Sequence, residues 1–105
     1  MKYRVIITPE AESDLKSIYR YIRKQGAPQA ARNWLAGARK RIKSLSESPE
    51  RGSLAPEWVS FDEAIRELLY GNSRLNYRIL YIVINTSVFV LHIRHGARLP
   101  MEPDQ

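Results

Sequence analysis

Cysteine is absent from this chain, and lysine is absent from its second half. The missing thiols exclude disulfide staples, thiolate nucleophiles and every Cys-based metal site, and they argue against a secreted miniprotein, so a cytoplasmic protein is expected. Long apolar runs are also missing. The longest, Ile79–Ile84, is too short to span a bilayer, and the N-terminus turns polar at Thr8, far short of a signal-peptide core. Neither export nor a membrane anchor is expected. No phosphate-cradling glycine loop, dinucleotide fingerprint, serine elbow or paired-carboxylate motif occurs, so no cofactor is indicated.

What is present fits one domain spanning residues 1–105, with 44% hydrophobic and 27% charged residues, the composition of a chain that folds. The net charge of +6 is unevenly placed: residues 1–52 carry 12 Lys/Arg against 5 Asp/Glu, and residues 53–105 carry 5 against 6. A basic surplus of this kind suits a polyanion, either nucleic acid or an acidic protein segment, and equally suits a solvated surface.

The order of elements follows from periodicity and punctuation. Lys2–Thr8 alternates, with Tyr3, Val5 and Ile7 on one parity, as in a half-buried strand. Thr8–Pro9 starts a helix: Thr8 is an N-cap, Pro9 suits the first turn, and Glu10, Glu12 and Asp14 complement the dipole. Ala11, Leu15, Ile18, Tyr19 and Ile22 form its apolar stripe until Gly26 and Pro28 break it near Gln25. A second helix from about Pro28 to Glu47 carries Ala31, Trp34, Leu35, Ala38, Ile42 and Leu45 on one face, and the short connection makes the two a hairpin. After a long connection containing Trp58, strands are expected near residues 64–70, 75–84 and 87–95, joined by turn sequences. The order β-α-α-β-β-β implies a two-layer α+β fold, with the helical hairpin packed on one face of an antiparallel sheet.

Arginine marks these last strands. Period-two alternation assigns Phe89, Leu91 and Ile93 to the core, and places Arg66, Arg78, His92 and Arg94 together on the face left uncovered by the helices. Guanidinium groups recognise phosphate and carboxylate bidentately and stack on bases, so this set points to an anion, with structural ion pairs to Glu63, Glu67 or the C-terminal acids as the alternative use. His92 and His95 are the only histidines and the best proton carriers near neutral pH. At i and i+3 on a strand they point to opposite faces, so they do not make a metal pair. The enzyme class these residues fit is a metal-free ribonuclease, in which Arg66 and Arg94 neutralise phosphate and His92, His95, Glu67 or a Tyr moves the proton.

Several segments, in order, carry a family resemblance: Ala11–Glu12–Ser13–Asp14–Leu15, Ile18–Tyr19–Arg20–Tyr21–Ile22, Ser48–Pro49–Glu50–Arg51–Gly52, Ile65–Arg66–Glu67–Leu68, Tyr77–Arg78–Ile79–Leu80–Tyr81 and Leu91–His92–Ile93–Arg94–His95–Gly96–Ala97–Arg98. Together they resemble the RelE/ParE superfamily of toxins from type II toxin–antitoxin modules, often called plasmid stabilisation proteins. The resemblance covers nearly the whole chain. It implies a growth-arresting toxin neutralised by a cognate antitoxin, with Arg66, Arg78, His92, Arg94 and Arg98 as binding residues. RelE-like members cleave mRNA on the ribosome with Lys, Arg and a C-terminal Tyr or His; ParE-like members inhibit DNA gyrase. The second half of this chain has no Lys and its tail after Arg98 has no Tyr, which favours the ParE-like reading, with the ribonuclease and a non-toxic nucleic-acid-binding module as alternatives.

Overall fold

The computed structural model describes residues 2–55, 64–71 and 76–96. Strand β1 (Arg4–Ile7) leads into helix α1 (Pro9–Lys24), helix α2 (Pro28–Lys43), two single 3-10 turns (Ser44–Ser46 and Pro49–Arg51) and the short strand β2 (Ser53–Leu54). Strands β3 (Arg66–Gly71), β4 (Asn76–Ile84) and β5 (Ser87–His95) follow. They form one five-stranded sheet in the order β1-β5-β4-β3-β2. The sheet is mixed rather than wholly antiparallel, because β1 pairs parallel with β5 from Ser87 to Val90. The two strands are the first and last of the chain, so no tight turn joins them and parallel pairing is open to them.

The capping signals operate as the sequence predicts. The Thr8 hydroxyl accepts the Ala11 N–H at 3.2 Å and itself donates to the Val90 carbonyl at 2.7 Å, so one side chain starts α1 and ties it to β5. Helix α2 stops at Lys43, earlier than the expected Glu47, and tightens into the 3-10 turn that buries Leu45. The expected strand positions hold, and β2 is an addition that sequence periodicity cannot see in two residues. Trp58 and Arg98 lie outside the described residues.

The main core lies between the helices and one sheet face. Ala11, Leu15 and Ile22 of α1 and Ala31, Trp34, Ala38 and Ile42 of α2 pack against Leu68, Tyr77, Ile79, Tyr81, Val88, Val90 and Ile93. Each fully buried large aliphatic side chain here contributes roughly 1.5–3 kcal/mol. A second, smaller cluster of Ala55, Ile65 and Leu80, with Ile82 and Leu91 against it, belongs to the opposite parity of the strands.

Core assignments in β5 differ from simple alternation. Leu80 pairs with His92 but Tyr81 pairs with Val90, so Leu91 is an extra, bulged residue. Val88 and Val90 therefore face the helices before the bulge, and Ile93 faces them after it, while Leu91 joins the smaller cluster. The expectation that Phe89, Leu91 and Ile93 form one core row is corrected: a bulge breaks the period of two.

Two glycines let tyrosines reach the backbone. Tyr70 donates to the Trp34 carbonyl at 3.0 Å across Gly37, where a Cβ would sit 2.1 Å from the hydroxyl oxygen. Tyr81 donates to the Pro49 carbonyl at 2.6 Å and accepts the Gly52 N–H at 3.1 Å, and a Cβ on Gly52 would meet that hydroxyl at 2.2 Å. Burial raises the pKa of both phenols above the ordinary tyrosine value; at Tyr81 the Gly52 N–H pulls it partly back.

Candidate anion site on the sheet

The site is built on the register of three strands. Leu69, Arg78 and Arg94 lie in one row across β3, β4 and β5, and Glu67, Leu80 and His92 lie in the next. Residues directly opposite on antiparallel strands project to the same face. Arg78 and Arg94 are thus neighbours on the sheet face turned away from the helices.

Two like charges placed opposite one another repel unless something offsets them. Glu67 offsets one: its carboxylate takes the Arg78 guanidinium diagonally, with Nε to Oε2 at 3.4 Å and Nη2 to Oε1 at 3.3 Å. Arg78 is only 6% exposed, so its pair with Glu67 is largely desolvated. The Arg94 Nε is buried, and no acceptor among the described residues reaches it. The row therefore sets two guanidinium groups side by side, with Glu67 engaged by one of them.

The other expected site residues are placed elsewhere. Arg66 pairs with Tyr81 and shares the parity of Leu68 and Tyr70, which face the helices. The expectation of a shared face with Arg78 and Arg94 is therefore corrected: the buried Leu68 and the partly buried Tyr70 fix the face of the whole strand. Arg66 sits at the strand end beyond α2, and its Nη1 donates to the Gly52 carbonyl at 3.0 Å and the Glu50 carbonyl at 3.4 Å.

His92 shares the face of Arg78 and Arg94 but is engaged by α1. Its Nδ1 lies 3.0 Å from Asp14 Oδ2, the oxygen that accepts the Ile93 N–H at 2.9 Å, so it is held at the outer edge of β5 by α1. His95 lies opposite Tyr77, edge-on to its ring with centroids 5.3 Å apart. The structure thus brings together Arg78 and Arg94, adds Glu67, keeps His92 on the same face but bound to Asp14, and places Arg66 and His95 on the opposite face. Arg98 is outside the described residues.

Asp14 is the residue sequence reading undervalued, as one acid among three at a helix start. Its signal was its spacing: Asp14, Ile18 and Tyr21 fall on one face of α1 and line a cleft of about 420 Å³ against Tyr77, Ile93 and Arg94. Among the described residues, no group of three or more His, Asp or Glu is placed to hold a metal ion.

Comparison with known proteins decides the family. The family model described as "ParE toxin of type II toxin-antitoxin system, parDE" matches residues 5–100. The chain belongs to the ParE toxin family. It is 36% identical over 96 residues to Toxin RelE2 of Caulobacter vibrioides, covering 91% of this chain and 98% of that protein. The fold of this ParE-family toxin is shared with the chromosomal ParDE system of P. aeruginosa, at TM-score 0.72 and 19% identity over 90% of this chain and 96% of that one. It is shared also with the toxin–antitoxin complex RelBE2 of Mycobacterium tuberculosis, at TM-score 0.62 and 24% identity over 93% and 95% of the two chains. The protein is thus a toxin of a type II toxin–antitoxin system in the RelE/ParE superfamily, with two helices packed on a mixed five-stranded sheet. No helix among the described residues is long and apolar enough to cross a membrane.

Proposed function

We propose that this toxin arrests growth by binding a target rather than by cleaving one, with DNA gyrase as that target in the cytoplasm and a cognate antitoxin as its neutralising partner. The observation that carries this reading is how the proton carriers are used. His92 is engaged by Asp14, His95 packs edge-on to Tyr77, and the Tyr70 and Tyr81 hydroxyls are committed to backbone carbonyls with pKa values raised by burial. A ribonuclease needs a base within hydrogen-bond reach of its substrate, and a raised phenol is a poorer base-former at neutral pH. The Arg78–Arg94 row, by contrast, offers recognition of an acidic surface without proton transfer. The match to the ParE family supports the same target class, and the structural likeness to complexes with antitoxins supports the partner.

A second reading, ribosome-dependent mRNA cleavage, is favoured by the relative named Toxin RelE2. Two assays on the purified protein separate them. Binding to gyrase predicts lost supercoiling activity in a gyrase assay and intact transcripts by primer extension during arrest. Cleaved transcripts on translating ribosomes, with gyrase unaffected, would overturn the first reading in favour of the second.

A further inference from the structure

We infer that the outer face of the helical hairpin is a binding surface for the phosphate backbone of duplex DNA, formed by two adjoining rows of basic side chains on α1 and α2. It belongs to the layer opposite the Arg78–Arg94 row, and it stands independently of which target the toxin arrests.

The first observation is an acid-free stretch. The 32 residues from Leu15 to Ser46 contain nine Lys and Arg and no Asp or Glu, and all nine basic side chains are exposed. That stretch is most of the hairpin, so the basic surplus of the first half of the chain is concentrated on this layer. A helix face that is merely solvated gains from mixing the two signs four residues apart, whereas Lys16–Arg20, Arg20–Lys24 and Arg39–Lys43 are like-charge pairs at that spacing. Such pairs oppose the isolated helix, and a bound polyanion relieves them.

The second observation is that the charges are aligned. Lys16, Arg20 and Arg23 fall on one face of α1, and Arg32, Arg39 and Lys43 on one face of α2, each set recurring at helical spacing. The rows adjoin. Arg39 Nη1 crosses to Glu12 Oε2 at 3.1 Å, and Glu12 stands one turn before Lys16 in the α1 row. Its carboxyl is held below the ordinary glutamate range by the Arg39 hydrogen bond and, through charge, by Lys16. Of the six, Arg39 alone is in an ion pair among the described residues. At a rise of about 1.5 Å per residue the α2 row runs roughly 16 Å, and packed helices lie about 8–10 Å apart. Duplex DNA carries one charge per about 1.7 Å of its axis, so a strip of that length meets roughly nine phosphates.

The third observation selects the polyanion. Single-stranded nucleic acid is held by bases stacked on aromatic rings, and an acidic peptide by apolar anchors seated in pockets. The rows offer neither. Tyr21 is the one large apolar side chain exposed on the two helices among the described residues, and it lines the cleft beside Ile93, on the other flank of α1. An anionic membrane takes up a helix by its apolar face, and here those faces are buried in the core. What the rows do provide is guanidinium and ammonium donors for a stiff, regularly charged backbone, held without regard to base sequence. Because the rows and the Arg78–Arg94 pair lie on opposite layers, one toxin molecule can hold duplex and target together.

The test titrates the purified complete toxin against a fluorescently labelled DNA duplex of mixed sequence, read by anisotropy at several salt concentrations. Neutralising about four phosphates gives a slope of about −3.6 for the logarithm of affinity against the logarithm of salt concentration. Arg20→Gln with Arg23→Gln, and Arg32→Gln with Lys43→Gln, each remove two contacts. Each pair is expected to flatten the slope by about 1.8 and to weaken binding at least about tenfold at 0.1 M salt. The melting temperature should hold within a few degrees, because all four side chains are exposed. Lys2→Gln with Arg4→Gln removes the same charge at the N-terminal strand, away from the rows, and should weaken binding less than about threefold. Anisotropy unchanged by the wild-type toxin, or an equal loss in the strand control and the row variants, overturns the inference. Duplex RNA or polyglutamate bound more tightly than the DNA also overturns it, by giving the surface to another partner. None of these measurements involves gyrase or ribosomes, so a failure here leaves the proposed target to its own assays.

Discussion

The two faces of β4 are built to opposite standards. Toward the helices, Tyr77, Ile79 and Tyr81 are buried, and the Tyr81 hydroxyl both donates to and accepts from backbone groups of the 49–52 segment. Toward the other side, Leu80 anchors a small cluster, but Arg78 faces Arg94, Glu67 pairs with Arg78, and the Arg94 Nε has no acceptor among the described residues. Buried polar atoms are nearly always paired, so the Arg94 Nε, without an acceptor among the described residues, sets this face apart. The Trp34 Nε1 is the exception on the helix side, and nothing among the described residues accounts for it. One face serves stability and the other carries recognition.

Adjacent residues of one strand give the sharpest way to break that contrast. Ile79 and Leu80 are both fully buried, on opposite faces. Ile79→Ala opens a cavity in the main core and should cost about 4 kcal/mol, while Leu80→Ala, in a cluster with fewer layers around it, should cost about 2 kcal/mol, both within the range for such truncations. Urea denaturation of the two variants measures the difference. Equal losses would mean that the second cluster is as much a core as the first, and the contrast between faces would go.

How much of this was legible beforehand depends on what kind of information each feature carries. The two helices, their caps and the strand order were readable because Thr8, Pro9, Gly26 and the apolar stripes act locally. The face of Arg66 was not, because it is set by pairing with Tyr81 and by the burial of Leu68 and Tyr70, a matter of register between strands. The bulge at Leu91 was hidden for a related reason: one extra residue reverses every later side chain and leaves no compositional mark. The Arg78–Arg94 row survived because it depends on parity within single strands and on the simplest pairing of neighbours. Asp14 illustrates a third kind of blindness, since a helix residue that serves a strand edge has no local signature of that role.

Arg94→Ala should then separate function from stability. Removing the charge relieves the repulsion against Arg78, so the melting temperature is expected to hold or rise slightly. Target binding loses charge-assisted hydrogen bonds worth about 2–3 kcal/mol, a drop of about thirtyfold or more, read as loss of growth arrest. Arg66→Ala should show the reverse pattern, since its guanidinium holds the Gly52 and Glu50 carbonyls: lower stability with target affinity unchanged in the folded fraction. If Arg66→Ala abolishes binding in a folded protein while Arg94→Ala does not, the assignment of the two faces is wrong.

On the helix side, Tyr81→Phe should cost about 1–2 kcal/mol by leaving the Pro49 carbonyl and Gly52 N–H without their partner. It also alters alkaline unfolding. Burial raises the folded-state pKa of Tyr81 above its ordinary value of about 10, so the neutral phenol contributes stability that is present below that value and is lost as pH rises from it through the folded-state value. Stability of the Phe variant should therefore fall less steeply above about pH 10 than that of the wild type, as followed by circular dichroism.

The smallest effect belongs to the outside of the helix layer, where water rather than packing sets the scale. Arg39 bridges the hairpin to Glu12 with two contacts, at 3.1 and 2.5 Å, and its hydrogen bond holds the Glu12 carboxyl below the ordinary glutamate range while raising its own pKa. Both side chains remain well solvated, so the pair is worth at most about 1 kcal/mol. Because the folded-state value is depressed, the contribution is fully present above the unfolded-state value of about 4.3 and disappears as pH falls through the folded-state value. Glu12→Gln should therefore match a small, constant loss of stability above about pH 5, shrinking toward zero near pH 3, and halved or more in strong salt. A loss larger than about 2 kcal/mol, or one that persists at pH 3, would place this pair in the packed interior and extend the structural face of the molecule to its outer surface.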